Sequence, residues 1–173
     1  MRKMTRSLLA LATAVLLPLT TASWAEGAKD VPSERVVLTV SGKIDTTNVG
    51  DTAQFDLDML RAFPATSFST TTIWTDGVQV FTGVSLALLL DTLGSTGNTL
   101  RVSAINDYSI EFDTDLLQVD APILAYELND EQMHRRDKGP LWLVYPYDAK
   151  ESFRTAKVYS HSVWQLDRIE VLD

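Results

Sequence analysis

The side chains that most often carry catalysis or bind metals are scarce in this sequence. It contains two histidines, His134 and His161, and no cysteine, whereas zinc, haem and iron–sulfur sites take most of their ligands from those two residue types. The carboxylates do not follow the D-x-D-x-D-G spacing of a calcium loop, and no Gly-rich phosphate loop occurs. We therefore predict no protein-ligated metal, no Rossmann or P-loop nucleotide site and no catalytic residue.

His161 lies between Ser160 and Ser162, which suggests a serine nucleophile beside its base. We interpret this segment as a strand, on which neighbouring side chains point to opposite faces and cannot pair in this way. A serine hydrolase is therefore disfavoured.

One basic cluster, His134-Arg135-Arg136-Asp137-Lys138, interrupts an otherwise acidic chain. Its Arg and Lys side chains suit a ligand carbonyl, a phosphate or an acidic partner. We rank Arg136 and Lys138 above Arg135 as ligand contacts. The alternative is a solvated loop in which Arg136 or Lys138 pairs with Asp137.

The first 25 residues have the pattern of a secretory signal peptide. Basic residues precede an apolar run from Leu8 to Leu19, and the small residues Ser23 and Ala25 precede a cleavage site. These 12 apolar residues are too few to cross a hydrocarbon core, which needs about 20. We predict cleavage after Ala25, a periplasmic location, a flexible N-terminal tail at 26–34 and one domain at 35–173.

Cleavage at that site leaves 12 basic and 23 acidic residues, a net charge of about −11. Such an acidic chain disfavours nucleic acid and anionic membrane surfaces as partners. Because the chain has no cysteine, packing without disulfides must stabilise the domain.

Hydrophobic patterns predict a mixture of strands and short helices. The clearest helix, at 86–93, has apolar residues at helical spacing between Ser85 and Gly94, and a shorter helix follows Phe55 and stops before Pro64. The irregular order, without a βαβ repeat, favours an α+β fold. Strands are predicted at 35–44, in a hairpin over 67–82 with its turn at Thr75-Asp76-Gly77, at 100–105, 108–112, 141–146 and 163–172.

These segments, in this order, resemble the oxidoreductase molybdopterin-binding domain of sulfite oxidases and periplasmic methionine sulfoxide reductases. The match runs through nearly all of residues 35–173 and depends on the order of its motifs, since each motif alone is weak. The resemblance implies a sulfite-oxidase-like α+β fold with mixed sheets and short helices. The matching segments are VSGKI at 40–44, FDLDML at 55–60, FTGVSL at 81–86 with LLL at 88–90, NDY at 106–108, ILAY and LND at 123–130, GPL to Pro at 139–146, and VWQL with IEV at 163–171.

Two departures from the family pattern bear on function. Family enzymes bind molybdenum through the enedithiolate of a pterin cofactor and through one cysteine, and the corresponding position here is Thr71. A threonine hydroxyl is a far poorer ligand for a soft metal than a thiolate. The family's arginine after G-x-P is also replaced, in Pro140-Leu141-Trp142. Ordinary sulfite-oxidase-like catalysis is therefore not expected.

The resemblance also implies which residues face a retained pterin pocket. Trp74 would stack on the pterin ring, and Asp107 would accept its N–H groups; the alternatives are a hairpin aromatic and a plain Asx turn. Tyr108 suits core packing better than ligand contact. The predicted pterin contacts are Thr71, Thr72, Trp74, Asn106, Asp107, Tyr108, Arg136 and Lys138.

We therefore expect a periplasmic pterin-binding protein without molybdenum catalysis. Its expected partner is the periplasmic region of an inner-membrane sensor, with control of cyclic-di-GMP as one candidate output. One alternative is a molybdopterin-dependent oxidoreductase whose metal site lacks cysteine. Another is an interaction module whose pocket is empty.

Overall fold

The computed structural model of the chain describes residues 28–173. The predicted signal peptide and its cleavage site lie outside the described residues, and the boundary between tail and domain stays a prediction. Within 28–173, no helix is both long and apolar enough to cross a membrane.

Two sheets, one mixed and one antiparallel, make up the described chain together with short helices. One sheet has the strand order β2-β1-β10-β5-β6 and the other the order β3-β4-β7-β8, with β9 also paired to β7, where these labels follow chain order. The strands are β1 (Leu38–Gly42), β2 (Ala53–Phe55), β3 (Ala65–Thr72), β4 (Thr75–Ser85), β5 (Thr99–Ala104), β6 (Ser109–Asp113), β7 (Ile123–Leu128), β8 (Glu131–Gln132), β9 (Trp142–Val144) and β10 (Leu166–Leu172), and the helices are α1 (Leu57–Arg61), α2 (Leu86–Thr92) and α3 (Ala156–His161). The predicted α+β class is confirmed.

The core consists of two clusters of different composition. The larger is aliphatic and combines alternate residues of β1, β5 and β10 with Leu86, Leu89 and Leu90 of α2. Burial of each such leucine contributes roughly 1.5–3 kcal/mol. The smaller cluster is aromatic and includes Phe81, Trp142, Tyr145, Tyr147 and Phe153. It positions the candidate site described below.

Helix α2 begins and ends at the residues that the sequence indicated. The Ser85 hydroxyl accepts the Leu88 N–H at 3.4 Å, and Gly94 has a φ of +63° just after the helix. A polar N-cap and a left-handed glycine are typical of these two positions. The prediction of this helix is confirmed.

The hairpin between β3 and β4 turns earlier than predicted. Its turn is Ile73-Trp74, whereas Thr75-Asp76-Gly77 belongs to β4. The Thr72 hydroxyl lies 2.8 Å from that of Thr75 and accepts the Trp74 N–H at 3.0 Å, which closes the turn early. Gly77 has a φ of +68°, near an irregularity in the pairing of β3 with β4, as is common for glycine in a bulge.

Helix α3 lies where we expected extended chain. The Thr155 hydroxyl accepts the Val158 N–H at 3.3 Å and begins the helix, while β10 begins at Leu166 rather than at Val163. The interpretation of Ser160–Ser162 as a strand was therefore wrong. With six residues that include valine and tyrosine, α3 is too short and too β-like for a helical pattern to show.

Asp56 is a buried carboxylate that joins the N-terminal segment to α1. Its Oδ1 accepts the Met59 N–H at 2.9 Å as the N-cap of α1, and its Oδ2 accepts the N–H groups of Ser33 at 3.0 Å and Glu34 at 3.1 Å. Burial raises the pKa of this carboxyl, but the backbone donors outweigh burial and hold the pKa below its ordinary value.

We predict that Asp56→Ala lowers the free energy of unfolding by about 2 kcal/mol, because three N–H groups lose their acceptor. Asp56→Asn keeps one acceptor oxygen and should lower the free energy of unfolding by less. Since the folded-state pKa is depressed, this contribution is complete above the unfolded pKa and disappears as pH falls through the folded value. Urea unfolding at neutral pH and well below pH 3.8 measures both effects. An Asp56→Ala deficit that persists unchanged in acid would contradict the account.

Candidate functional site

An aromatic cleft of about 420 Å³ lies between the β3–β4 turn, the β5–β6 turn and residues 159–164. Four of its lining side chains are aromatic, three others carry an amide or an aliphatic hydroxyl, and none is charged. Clefts of this composition suit flat ligands with a few hydrogen-bonding groups. The lining residues are Trp74, Ala104, Asn106, Tyr108, Tyr159, Ser160, Ser162, Val163 and Trp164.

Trp74 forms the fixed wall of this aromatic cleft. Its ring centroid lies 5.8 Å from those of Trp142, Tyr159 and Trp164 and 6.2 Å from that of Tyr147, always edge to face. Each such pair contributes about 0.5–1.5 kcal/mol beyond the buried area. The Trp74 ring is therefore held from several sides.

Buried polar groups fix the segment that carries Trp164. The Trp142 Nε1–H donates to the Ser162 carbonyl at 3.2 Å, and the Tyr147 and Ser162 hydroxyls lie 2.6 Å apart. Burial raises the pKa of Tyr147 far above its ordinary value, so this phenol stays neutral. Trp142, which the resemblance places where the family has an arginine, is fully buried and is therefore a packing residue.

Three of the predicted contacts meet in the aromatic cleft: Trp74, Asn106 and Tyr108. The Asn106 Oδ1 accepts the Tyr108 N–H at 3.2 Å and so shapes the β5–β6 turn. Tyr108 is 51% exposed and therefore belongs to the rim of the cleft. The expectation that it packs in the core was wrong.

Asp107 lies outside the aromatic cleft. It has a φ of +65°, and its Oδ1 accepts the Arg168 Nη2–H at 2.8 Å. The Asp107 carboxylate raises the pKa of the Arg168 guanidinium in return. A carboxylate already paired in this way, on a different surface, is not placed to receive a ligand bound against Trp74.

Thr71 and Thr72 serve the hairpin rather than the cleft. The Thr71 N–H and hydroxyl donate to the two Asp148 oxygens at 2.6 and 2.8 Å, and Arg154 also pairs with Asp148. The Thr71 hydrogen bonds, more than Arg154, hold the pKa of the Asp148 carboxyl below its usual range. Thr72 closes the turn with Thr75.

This arrangement does not fit molybdenum. At the position that the resemblance assigns to a thiolate ligand, the Thr71 hydroxyl is hard, neutral and already hydrogen-bonded to a carboxylate, so it is not available to a soft metal. Among residues 28–173, no group of three or more His, Asp or Glu side chains could hold a metal ion.

Arg136 and Lys138 also lie away from the cleft lining. The Arg136 side chain is 84% exposed, with its Nε 3.4 Å from Asp137 Oδ2, as the solvated-loop alternative anticipated. The Lys138 ammonium lies 5.5 Å from the centre of the Trp142 ring. Lys138 thus contacts the aromatic cluster at Trp142 and does not line the cleft.

The sequence did not identify the cleft residues in α3 and in the segment after it. Tyr159, Ser160 and Trp164 line the cleft, and Trp164 is 41% exposed. The crowding of aromatic residues in this third of the chain was the available signal. This signal does not separate cleft residues from core residues, because exposure of one tryptophan depends on the tertiary fold.

His161 does not form a nucleophile–base pair with its serine neighbours. Its ring stacks on Phe112 with centroids 4.6 Å apart, while the Ser160 hydroxyl donates to the Lys157 carbonyl at 2.6 Å. Burial and, secondarily, Lys157 lower the pKa of His161, against the opposing effect of Asp113. The imidazole acts as a neutral packing group.

No protein-family model and no curated protein sequence matches the chain. Among solved structures, the chain is similar to the sulfane dehydrogenase SoxCD from Paracoccus pantotrophus, with 20% identity and a TM-score of 0.59. The match covers 79% of this chain but 38% of that one, so this chain spans well under half of its length. The likeness confirms the sulfite-oxidase-like α+β fold class.

We predict that Thr71→Cys does not produce sulfite oxidation or methionine sulfoxide reduction. One thiolate cannot replace a set of groups that must hold a metal cofactor to within about 0.5 Å, and the mutation also removes the hydroxyl bonded to Asp148. Thr71→Ser, which keeps that hydroxyl, is the matched control. Dye-linked turnover assays on both variants provide the measurement, and turnover by the cysteine variant with bound molybdenum would contradict the assignment.

Proposed function

We propose that this protein binds a free pterin in the aromatic cleft and does not carry out molybdenum catalysis. The supporting observation is the cleft itself, where aromatic rings, one amide and two serine hydroxyls meet without a charged side chain. A pterin offers a flat bicyclic face for stacking and an edge rich in N–H and carbonyl groups. These are the features that such a lining recognises.

The ligand stacks on the exposed ring of Trp164. A ligand cannot be sandwiched between Trp74 and Trp164, because their centroids are only 5.8 Å apart in an edge contact. Trp164 and Tyr108, which are 41% and 51% exposed, offer the accessible faces. The Asn106 amide, at the same rim, supplies hydrogen bonds to the pterin edge.

The charges around the cleft favour an unphosphorylated pterin over the complete molybdenum cofactor. A phosphate needs an available cation, but Arg168 is engaged by Asp107 at 2.8 Å and Lys138 lies over the Trp142 ring. The net charge of the whole chain is −8, which further disfavours an anionic ligand.

We further propose that the protein acts in the periplasm as a pterin sensor. The signal-peptide pattern supports export, and a small exported protein must contact a membrane protein to pass a signal inward. The proposed partner is the periplasmic region of an inner-membrane sensor, with cyclic-di-GMP control as a candidate output.

A molybdopterin-dependent oxidoreductase without a cysteine ligand is the second candidate, and the fold similarity to a sulfane dehydrogenase favours it. The two candidates differ in metal content.

We predict that protein purified from the periplasm of molybdenum-replete cells contains far less than one molybdenum per chain, because the Thr71 region offers no soft ligand. Inductively coupled plasma mass spectrometry measures this ratio, and near-stoichiometric molybdenum would favour the oxidoreductase.

We predict that neopterin quenches tryptophan emission and raises the melting temperature, since a ligand at a hundredfold excess over Kd stabilises the fold by about 2.7 kcal/mol. Trp164→Ala should weaken binding by about 1–3 kcal/mol through loss of the stack, whereas Trp164→Phe keeps most of it. A phosphorylated neopterin should bind more weakly than neopterin.

Asp107→Asn is the control on the opposite side of the β5–β6 turn, and it should leave neopterin affinity unchanged. Isothermal titration of the parent and the three variants gives these affinities. No binding at millimolar neopterin would favour the empty interaction module, and equal losses in Asp107→Asn and Trp164→Ala would place the ligand elsewhere.

A further inference from the structure

We propose that the exposed basic loop at residues 134–138 docks an acidic segment of another polypeptide. The loop contains Arg135, Arg136 and Lys138 against the single carboxylate of Asp137, in a chain whose net charge is −8. All of its residues except the half-buried Lys138 are exposed. This local positive charge attracts a partner of opposite charge. Dissolved ions screen charges over about 8 Å, so the more distant carboxylates of this protein repel such a partner only weakly.

Arg135 is the cation best placed for such a contact. Within residues 28–173, Arg136 pairs with its neighbour Asp137, whereas no carboxylate forms an ion pair with Arg135. Arg135 and His134 also line a recess of about 680 Å³ together with Arg35. This recess gives an incoming segment a concave surface beside the loop.

The recess lining also holds three carboxylates, Glu34, Asp58 and Asp167, against three arginines, so the lining carries no net charge and the attraction comes from the loop. Asp58 pairs with Arg61 at 3.6 Å and Asp167 with Arg168 at 3.1 Å. Apolar groups such as Met133 complete the lining. The recess therefore suits a segment in which carboxylates accompany apolar side chains.

Backbone hydrogen bonds hold the loop in one conformation. The His134 carbonyl accepts the N–H groups of Asp137 at 2.8 Å and Gly139 at 2.9 Å. The Gln165 N–H donates to the Lys138 carbonyl at 2.8 Å, and its side-chain Nε2 donates to the Arg135 carbonyl. A loop that is already ordered loses less entropy on binding.

Gln165 also connects the basic loop to the aromatic cleft. It directly follows Trp164, and its carbonyl accepts the N–H of Ile105, the residue before Asn106, at 2.9 Å. A ligand that shifts Trp164 or Asn106 therefore acts on the residue that anchors the loop. This coupling, unlike the docking itself, rests on the proposed pterin function.

The docking test uses a fluorescein-labelled peptide in which Glu alternates with Ser, and its Gln/Ser counterpart, at physiological ionic strength. We expect the acidic peptide alone to bind, with NMR shifts concentrated at residues 134–138. Arg135→Glu should weaken this binding about tenfold or more, while Lys43→Glu, an equal charge reversal at an exposed lysine elsewhere, should change it less than twofold. Equal effects of both variants, or shifts centred elsewhere, would overturn the proposal.

An anionic lipid surface is the competing occupant. Sedimentation with phosphatidylglycerol vesicles that depends on Arg135, without binding of the acidic peptide, would overturn the proposal in favour of membrane docking. Binding of the acidic peptide without binding to the vesicles would support the proposal.

The coupling is tested separately with neopterin. We expect neopterin to change peptide affinity in the parent but not in Gln165→Asn, since Asn tolerates the φ of +53° at this position and is too short to reach Arg135. If neopterin binds the parent and leaves peptide affinity unchanged, the coupling is wrong. If neopterin fails to bind while the peptide still binds at the loop, the proposed pterin binding is wrong and the docking proposal is supported.

Discussion

The edge-to-face packing of Trp74 against four other aromatic rings is the constraint on which the candidate site depends. Trp74 lies in a two-residue turn, and its partners come from β9, from the chain after β9, from α3 and from the segment between α3 and β10. These contacts join the β3–β4 hairpin to the C-terminal third of the chain. They add to the backbone hydrogen bonds, such as that from the Ile105 N–H to the Gln165 carbonyl at 2.9 Å, that hold Trp164 near Asn106 and Tyr108.

The same packing explains why the region near Thr71 differs from a metal site. Because the turn closes at Ile73-Trp74, Thr71 lies near the end of an edge strand, where Asp148 accepts both its N–H and its hydroxyl. Trp142, at the position that the resemblance assigns to an arginine, is fully buried. A hydroxyl and a buried indole at these two positions suit packing better than contact with a soft metal or an anion.

Short sequence patterns were enough to predict the helix caps and turns that depend on interactions between nearby residues. The Ser85 cap, the Gly94 stop and the Asn106 turn could be predicted, because each acts within a few residues of the chain. The cleft could be predicted only in part. Trp74, Asn106 and Tyr108 were identified, but the exposure of Trp164 depends on contacts between distant segments.

The other differences from the sequence predictions have separate physical origins. Asp107 and Asn106 are adjacent, and only the positive φ of Asp107 and its pairing with Arg168 decide which of them faces the cleft. Helix α3 depends on tertiary packing more than on intrinsic propensity. The early hairpin turn depends on one pair of threonine hydroxyls.

The central claim is that a neutral pterin lies against Trp164 in the aromatic cleft. Two-dimensional ¹H–¹⁵N NMR of the labelled protein during a neopterin titration tests it most directly. The account predicts saturable shifts of the Trp164 and Trp74 indole N–H signals and of the Asn106 and Tyr108 amides, with the Thr71 and Asp148 amides unchanged. Shifts centred on Thr71 and Asp148, or no saturable shift, would contradict it.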